Sequence, residues 1–352
     1  MHEITVALPE LARLETLPPH CRRPLIIAGM HRSGTSMTAS GLQAAGLNVG
    51  ERLAGVSLGN EFGHFENVDF VSLHGDILCS QGHGPEGWVA NGSVSVPLAF
   101  VERAREIVEH NASQDAWGWK DPRTTLFLEF WADLLPQANF LFLVRPPWEV
   151  VDSLFRRGDA IFKTNPNHAL SVWLAYNQAI YDFHRKFQQR CLLITADAFI
   201  QEPQKIFAAL NAKFDLSLKA STVPAFHAQA FNTDVASSHR RTMMCEFFPE
   251  AVQLWQQLLD LSYFKSEQVS DCSPPAKFRD WAFKDWLDLR SEQLALKSTT
   301  VELEQLQLRE SEFQCEREHL ISVIEEFNSS RSWQLTKPLR SLVAYIKGGW
   351  TR

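Results

Sequence analysis

The chain has 352 residues, of which 45% are hydrophobic and 21% charged, with a net charge of -7. That is the composition of an ordinary globular protein with room for one sizeable domain plus extras. Its acidity excludes the basic face that nucleic-acid phosphates require, and no apolar run approaches the ~18 residues of a membrane-spanning helix.

Residues 1–22, ending in Pro18-Pro19, read as an arm. Glu3, Pro9 and Glu10 interrupt the basic-then-apolar order of a signal peptide, so a cytoplasmic location is expected. Leu25 to Ala28 is a short apolar run of the kind that makes a buried parallel strand. Gly29 ends it, Gly34 follows five residues on, and from Ser36 the residues Met37, Gly41, Ala44 and Ala45 have helical spacing. A strand, a glycine-bounded loop and a helix start form a phosphate cradle, because loop N–H groups and the helix N-terminus converge on an anion. The spacing is that of a nucleotide-triphosphate P-loop, but Thr35 stands where that loop has its Lys, with Ser36 after it. The cation sits instead at Arg32. A chain without the Lys for the β- and γ-phosphates is a poor ATP or GTP hydrolase, yet a 5′-phosphorylated nucleotide is still expected.

Nine of the 17 glycines lie between Gly50 and Gly92, which predicts a loop-rich insertion over the site. Inside it, Gly63-His64-Phe65-Glu66-Asn67 precedes a helical pattern of Val68, Val71, Leu73, Ile77 and Leu78. Val101, Ala104 and Val108 mark a short amphipathic helix. The stretch from Trp117 to Arg123 gathers aromatic, basic and acidic groups, and Leu126 to Leu135 reads as a helix ended by Pro136. Phe140 to Val144 is a second buried strand, stopping at Arg145-Pro146-Pro147, with a helix from about Trp148. A long amphipathic helix follows over Leu170 to Phe187, a third strand over Cys191 to Thr195, and helices after Pro203 and from Val252 to Leu261. Strands alternating with helices predict an α/β domain over 23–280: a P-loop-like three-layer sandwich with a central parallel sheet.

From about Lys284 the composition shifts to Glu, Gln, Leu, Ser and Arg. Thr299, Leu306, Phe313, Leu320 and Phe327 recur every seven residues, while the partner positions Leu296, Leu303, Glu310, Arg317 and Ile324 are mixed. A C-terminal helical stalk over 281–328 is expected, either a short coiled coil that joins copies through 285–328 or a solitary amphipathic helix. The basic tail, 329–352, holds five Lys/Arg and no acidic residue from Arg331 on, with Trp333, Leu335, Leu339, Leu342, Tyr345, Ile346 and Trp350 interleaved. That is the pattern of an interfacial membrane helix, with a solvated tail as the alternative. The six cysteines are scattered, without Cys-x2-Cys pairs or companion His residues at ligand spacing. Free thiols and no metal site are expected.

Arg32-Ser33-Gly34-Thr35-Ser36 resembles the 5′-phosphosulfate loop of sulfotransferases that use 3′-phosphoadenosine 5′-phosphosulfate (PAPS). Arg145 ends a predicted strand and Ser153 lies eight residues later, the pairing with which that family binds the 3′-phosphate. Bidentate Arg suits a phosphate. Thr195 to Ile200 followed by Glu202-Pro203 is similar to the family's strand, acidic loop and Pro-started helix. The resemblance spans roughly residues 23–260 and implies PAPS as co-substrate without a metal. The Arg-Lys-Gly motif of the cytosolic small-molecule branch is absent, with Arg240-Arg241 as a substitute, and this departure favours a bacterial, carbohydrate-directed branch. Ser330 to Arg340 is also similar to segments that end bacterial polysaccharide-assembly glycosyltransferases, so the expected acceptor is a glycan or glycolipid precursor.

Sulfuryl transfer develops charge on the bridging oxygen as the bisphosphate leaves, and cations and N–H groups stabilise it. The resemblance implies Arg32 and Lys120 for that role. A base must take the acceptor's proton. The family uses a His directly after the Lys or a Glu in the loop after the first helix; here Asp121-Pro122-Arg123 follows Lys120. The expected base is therefore Glu66, with His64 and Glu61 as alternatives. Two bland roles stay open: His64 bonding a loop carbonyl, and Glu66 capping the next helix. Asp121-Arg123 is either an ion pair that orients Lys120 or a substrate contact. The rival functions are a P-loop nucleotide kinase and a non-catalytic scaffold in glycan assembly.

Overall fold

The structure is a computed structural model that describes residues 23–55, 63–90, 94–113, 116–219, 237–264 and 278–348, with Pro18 and Cys21 ahead of them. The chain divides into two compact units, Met1–Pro275 and Ala276–Arg352. Most of the expected N-terminal arm lies outside the described residues.

The first unit is built on four parallel strands: β1 (Leu25–Gly29), β2 (Gly118–Lys120), β3 (Asn139–Val144) and β4 (Cys191–Thr195), in the order β2-β1-β3-β4. Three of them are the apolar runs legible in the sequence. The fourth, β2, is only three residues long, too short to show a period. It forms because Gly118 lets two backbones meet: a Cβ there would lie 1.9 Å from the Leu25 carbonyl oxygen.

Alternation along the strands splits the core in two. Ile26, Ala28, Phe140, Phe142 and Leu193 face one side. There they meet α2 (Val68–Ser80), α3 (Val101–Asn111), α4 (Leu128–Leu134), α5 (Pro147–Arg157), a short α6 (Ala160–Thr164), α7 (Pro166–Lys186) and, after α10 (Ser237–Phe247), α11 (Pro249–Leu261). Leu25, Ile27, Leu141, Leu143, Leu192 and Ile194 face the other side, against α1 (Thr35–Ala44), α8 (Ala196–Gln201) and α9 (Pro203–Phe214). Helices on both faces of a parallel sheet make the expected three-layer α/β sandwich.

Three local readings need correction. The expected acidic loop after Thr195 is the helix α8, capped by Thr195 Oγ1, which accepts from Ala198 N at 3.2 Å. The helix read over Leu126–Leu135 begins earlier, as a 3₁₀ turn over Pro122–Phe127, because Asp121 caps it through the Arg123 N–H and Pro122 starts it. Cys21, Cys79, Cys191 and Cys315 are outside any disulfide, but Cys245 is disulfide-bonded; scattered spacing carries no pairing signal.

The second unit consists of α12 (Phe278–Ser329), α13 (Arg331–Leu335) and α14 (Lys337–Gly348). Ser330 separates the first two by capping α13, its side chain accepting from Trp333 N. Along α14, Leu339, Leu342, Val343 and Ile346 are exposed and follow helical spacing on one stripe. Among the described residues no helix is long and apolar enough to cross a membrane.

Candidate active site

The site sits at the C-terminal ends of β1, β2, β3 and β4, where a doubly covered parallel sheet leaves its crevice. Gly29 closes β1 where only glycine fits, since a Cβ would lie 2.3 Å from the Leu143 carbonyl oxygen. Its N–H donates to Thr125 Oγ1 at 3.1 Å. Arg32 and Gly34 then take left-handed conformations, with φ of 67° and 89°. For arginine that conformation is strained, and it persists only where the surroundings hold it. Gly34 has no side chain to cap α1, and the first turn of α1 carries no acidic residue, so its N–H groups face the loop.

Tertiary folding joins the two sequence motifs. Arg32 Nε donates to Ser153 Oγ at 2.9 Å, and Arg145 Nη1 donates to the Arg32 carbonyl oxygen at 3.2 Å. Arg145 is also held by Glu149, its Nε donating to Oε2 at 2.7 Å. Burial and the charges of Arg157, Arg145 and Arg156 together lower Arg32 from the ordinary arginine range to about 10. In the same loop Ser33 Oγ and His31 Nε2 are buried and have no hydrogen-bond partner among the described residues. Thr35 is buried and Ser36 half-buried at the start of α1. A cavity of about 570 Å³ opens beside Arg145, lined by Val144, Thr195, Asp197, Glu202 and Trp255. Arg240, read as a substitute cation, pairs instead with Asp152 at 2.6 Å, one residue before Ser153. The Arg241 guanidinium stands over the Trp148 ring.

Beside the loop lies a second, buried cluster. Lys120, at 1% exposure, ends β2 and donates from Nζ to Glu66 Oε1 at 2.8 Å and to the His64 carbonyl oxygen at 2.7 Å. Arg123 Nη2 donates to Glu66 Oε2 at 3.1 Å, and its Nε to Asp121 Oδ1 at 2.8 Å. Asp121 and Arg123 are thus an internal ion pair, and Arg123 additionally binds the carboxylate that Lys120 holds. Burial lowers Lys120, against the pull of Glu66. Burial also lowers His64, whose Nδ1 lies 3.9 Å from Glu66 Oε1, so its imidazole is neutral near pH 7. Burial alone would raise Asp121, but Arg123 and a hydrogen bond from His74 hold it far below the carboxylate range. Glu66 does not cap α2: that position belongs to Asn67, whose side chain accepts from Asp69 N. Glu61 lies outside the described residues. Among the described residues no group of three or more His, Cys, Asp or Glu side chains could hold a metal ion.

Sequence reading missed His31, His74, Arg156 and Arg157. Arg156 and Arg157 carried a usable signal, because they fall one turn after Ser153 on the helix that Pro147 starts. His74 carried none; its partners come from other elements.

No protein-family model matches the chain, and no curated protein does. Among solved structures it is similar to the sulfotransferase domain of the olefin synthase from Synechococcus PCC 7002, at 17% identity and TM-score 0.43, over 66% of this chain and 92% of that one. It is also similar to the sulfotransferase STF1 from Mycobacterium tuberculosis, at 14% identity and TM-score 0.40, over 69% of this chain and 79% of that one. A third, the sulfotransferase STF9 from Mycobacterium avium, gives 12% identity and TM-score 0.42 over 74% of this chain and 81% of that one. Identity this low leaves the chemistry to be argued from the side chains themselves.

Proposed function

We propose that the chain is a sulfotransferase that moves the sulfuryl group of PAPS to a hydroxyl of a glycan or glycolipid precursor. The observation that carries this reading is the contact between Arg32 and Ser153 across 121 residues of sequence. That contact brings the two motifs together, which supports a ligand phosphorylated at both its 5′ and 3′ positions. Arg32, Ser33, Gly34, Thr35, Ser36 and the α1 N–H groups take the 5′-phosphosulfate, and Arg145 with Ser153 takes the 3′-phosphate. A nucleotide kinase fits less well, since Thr35 replaces the P-loop Lys.

In the reaction the acceptor oxygen bonds to sulfur as the sulfur–oxygen bond to the phosphate breaks, and the electron pair leaves on adenosine 3′,5′-bisphosphate. Lys120 and Arg32 stabilise that leaving charge without a metal. Glu66 receives the acceptor's proton, with neutral His64 as the alternative acceptor beside it. The carbohydrate branch is favoured by the missing Arg-Lys-Gly motif and by Ser330 to Arg340. The enzyme would act on the cytoplasmic side, with residues 285–328 pairing copies and 331–352 touching the inner membrane face. The basic, acid-free tail and its exposed apolar stripe support the last contact.

The test is calorimetric titration with adenosine 3′,5′-bisphosphate and with ATP, followed by transfer of radiolabelled sulfate from PAPS to a panel of glycan acceptors. Tight bisphosphate binding with metal-independent transfer is expected. Magnesium-dependent ATP turnover would establish the kinase, and neither binding nor transfer would leave the scaffold.

A further inference from the structure

Behind Glu66 and Arg123 runs a string of buried hydrogen bonds that the transfer reaction does not itself use. Trp131 Nε1 donates to His74 Nε2 at 3.0 Å, and His74 Nδ1 meets Asp121 Oδ2 at 2.8 Å. An indole N–H can only donate, so His74 Nε2 must accept and the imidazole proton must sit on Nδ1, pointing at Asp121. The other Asp121 oxygen accepts from both the Nε and the backbone N–H of Arg123, at 2.8 and 3.0 Å. The remaining arms of Arg123 reach the Pro85 carbonyl oxygen at 3.2 Å and Glu66 Oε2 at 3.1 Å. His74 and Asp121 are both 0% exposed, and the His74 ring is stacked on Phe127 at 5.0 Å.

The string has a direction. The indole fixes the tautomer, the tautomer fixes Asp121, Asp121 fixes the plane of Arg123, and Arg123 occupies one oxygen of Glu66. The other oxygen, Oε1, accepts from Lys120, the cation assigned to the leaving group, with His64 Nδ1 3.9 Å away. An apolar trio would fill the same core space without desolvating an ion pair. The string ends on the carboxylate that Lys120 also binds, which a merely structural pair would not need to do.

We infer that His74 and Asp121 are positioning residues that hold Arg123 on Glu66 Oε2, so that Oε1 becomes the proton-accepting oxygen once Lys120 turns to the departing bisphosphate. This rests on the sulfotransferase reading with Glu66 as base. The charged groups that face His74 are Asp121, Arg123 and Glu66. A doubly protonated His74 would set its Nε2–H against the indole N–H, so it stays neutral through the working pH range.

The test compares His74→Leu, which removes the donor to Asp121, with His74→Gln, whose amide can both accept from Trp131 and donate to Asp121. Sulfate release from radiolabelled PAPS to water serves as the probe, so no acceptor need be identified. His74→Leu should lower kcat roughly 100-fold, the scale of a misplaced catalytic group, while adenosine 3′,5′-bisphosphate affinity stays as in the wild type. His74→Gln should restore most of the rate. In 15N-histidine spectra of the wild-type chain His74 should show the Nδ1–H tautomer without titrating between about pH 5 and about 8; in Trp131→Phe, which serves if His74→Leu fails to fold, it should titrate. Equal losses in the Leu and Gln variants, an unchanged rate in His74→Leu, or an Nε2–H tautomer in the wild type each overturn the positioning role alone. A wild-type chain that binds no adenosine 3′,5′-bisphosphate overturns the sulfotransferase reading, and this role with it.

Discussion

Replacing Arg32 by Met should separate stability from binding. The Arg32 guanidinium is lowered from the ordinary arginine range to about 10 by burial and by the Arg157, Arg145 and Arg156 charges. At about 1.4 kcal/mol per pH unit, holding that charge in the fold costs on the order of 3 kcal/mol. The sign follows from linkage: the unfolded chain keeps its proton to higher pH, so stability rises as pH climbs above about 10, and at neutral pH the full cost is present. Arg32→Met removes the cost, retains most of the apolar stem's packing, and loses the 2.9 Å bond to Ser153, worth about 1 kcal/mol. The variant should therefore unfold in urea with a stability about 1–2 kcal/mol above the wild type. Its affinity for adenosine 3′,5′-bisphosphate should fall by about 1.5–3 kcal/mol, the scale of a charged hydrogen bond. A less stable variant that still binds as well as the wild type would refute the idea that these charges are assembled for an anion.

The remaining predictions concern separate parts of the chain. Arg145→Ala should weaken the same ligand by a further step of about 1.5–3 kcal/mol in calorimetry, whereas undiminished affinity would remove it from the phosphate site. Glu66→Gln should cut transfer of labelled sulfate by roughly 100-fold or more while sparing nucleotide binding, and Lys120→Met should cut it by a similar factor and also weaken the bisphosphate; retained transfer in Glu66→Gln would move the base to His64. Gly29→Ala, whose new methyl would lie 2.3 Å from the Leu143 carbonyl oxygen, should lower thermal stability by about 1–3 kcal/mol. Leu342→Glu should abolish sedimentation of the full chain with anionic vesicles and leave sulfate transfer intact; unchanged sedimentation would take the apolar stripe out of any membrane contact.

The amino-acid sequence by itself determined the pieces whose parts lie close along the chain. β1, its loop and the start of α1 were legible because a buried run, two glycines and a helical period fall within twenty residues. β3 with Arg145, and Ser153 on α5, were legible for the same reason: one strand, one turn and one helix set their spacing. Tertiary structure alone decided what those pieces touch. Arg32 and Ser153 are 121 residues apart, and Lys120 and Glu66 are separated by 54. No local period encodes such pairings, because they depend on how whole elements pack. β2 illustrates the limit, since its three residues become a strand only where Gly118 admits Leu25. His74 illustrates it again: on its helix it is one buried residue among several, and only Trp131 and Asp121, brought in from other elements, give its proton a fixed place. Residue types and short spacings announced an anion site, while long-range packing decided which charges meet in it.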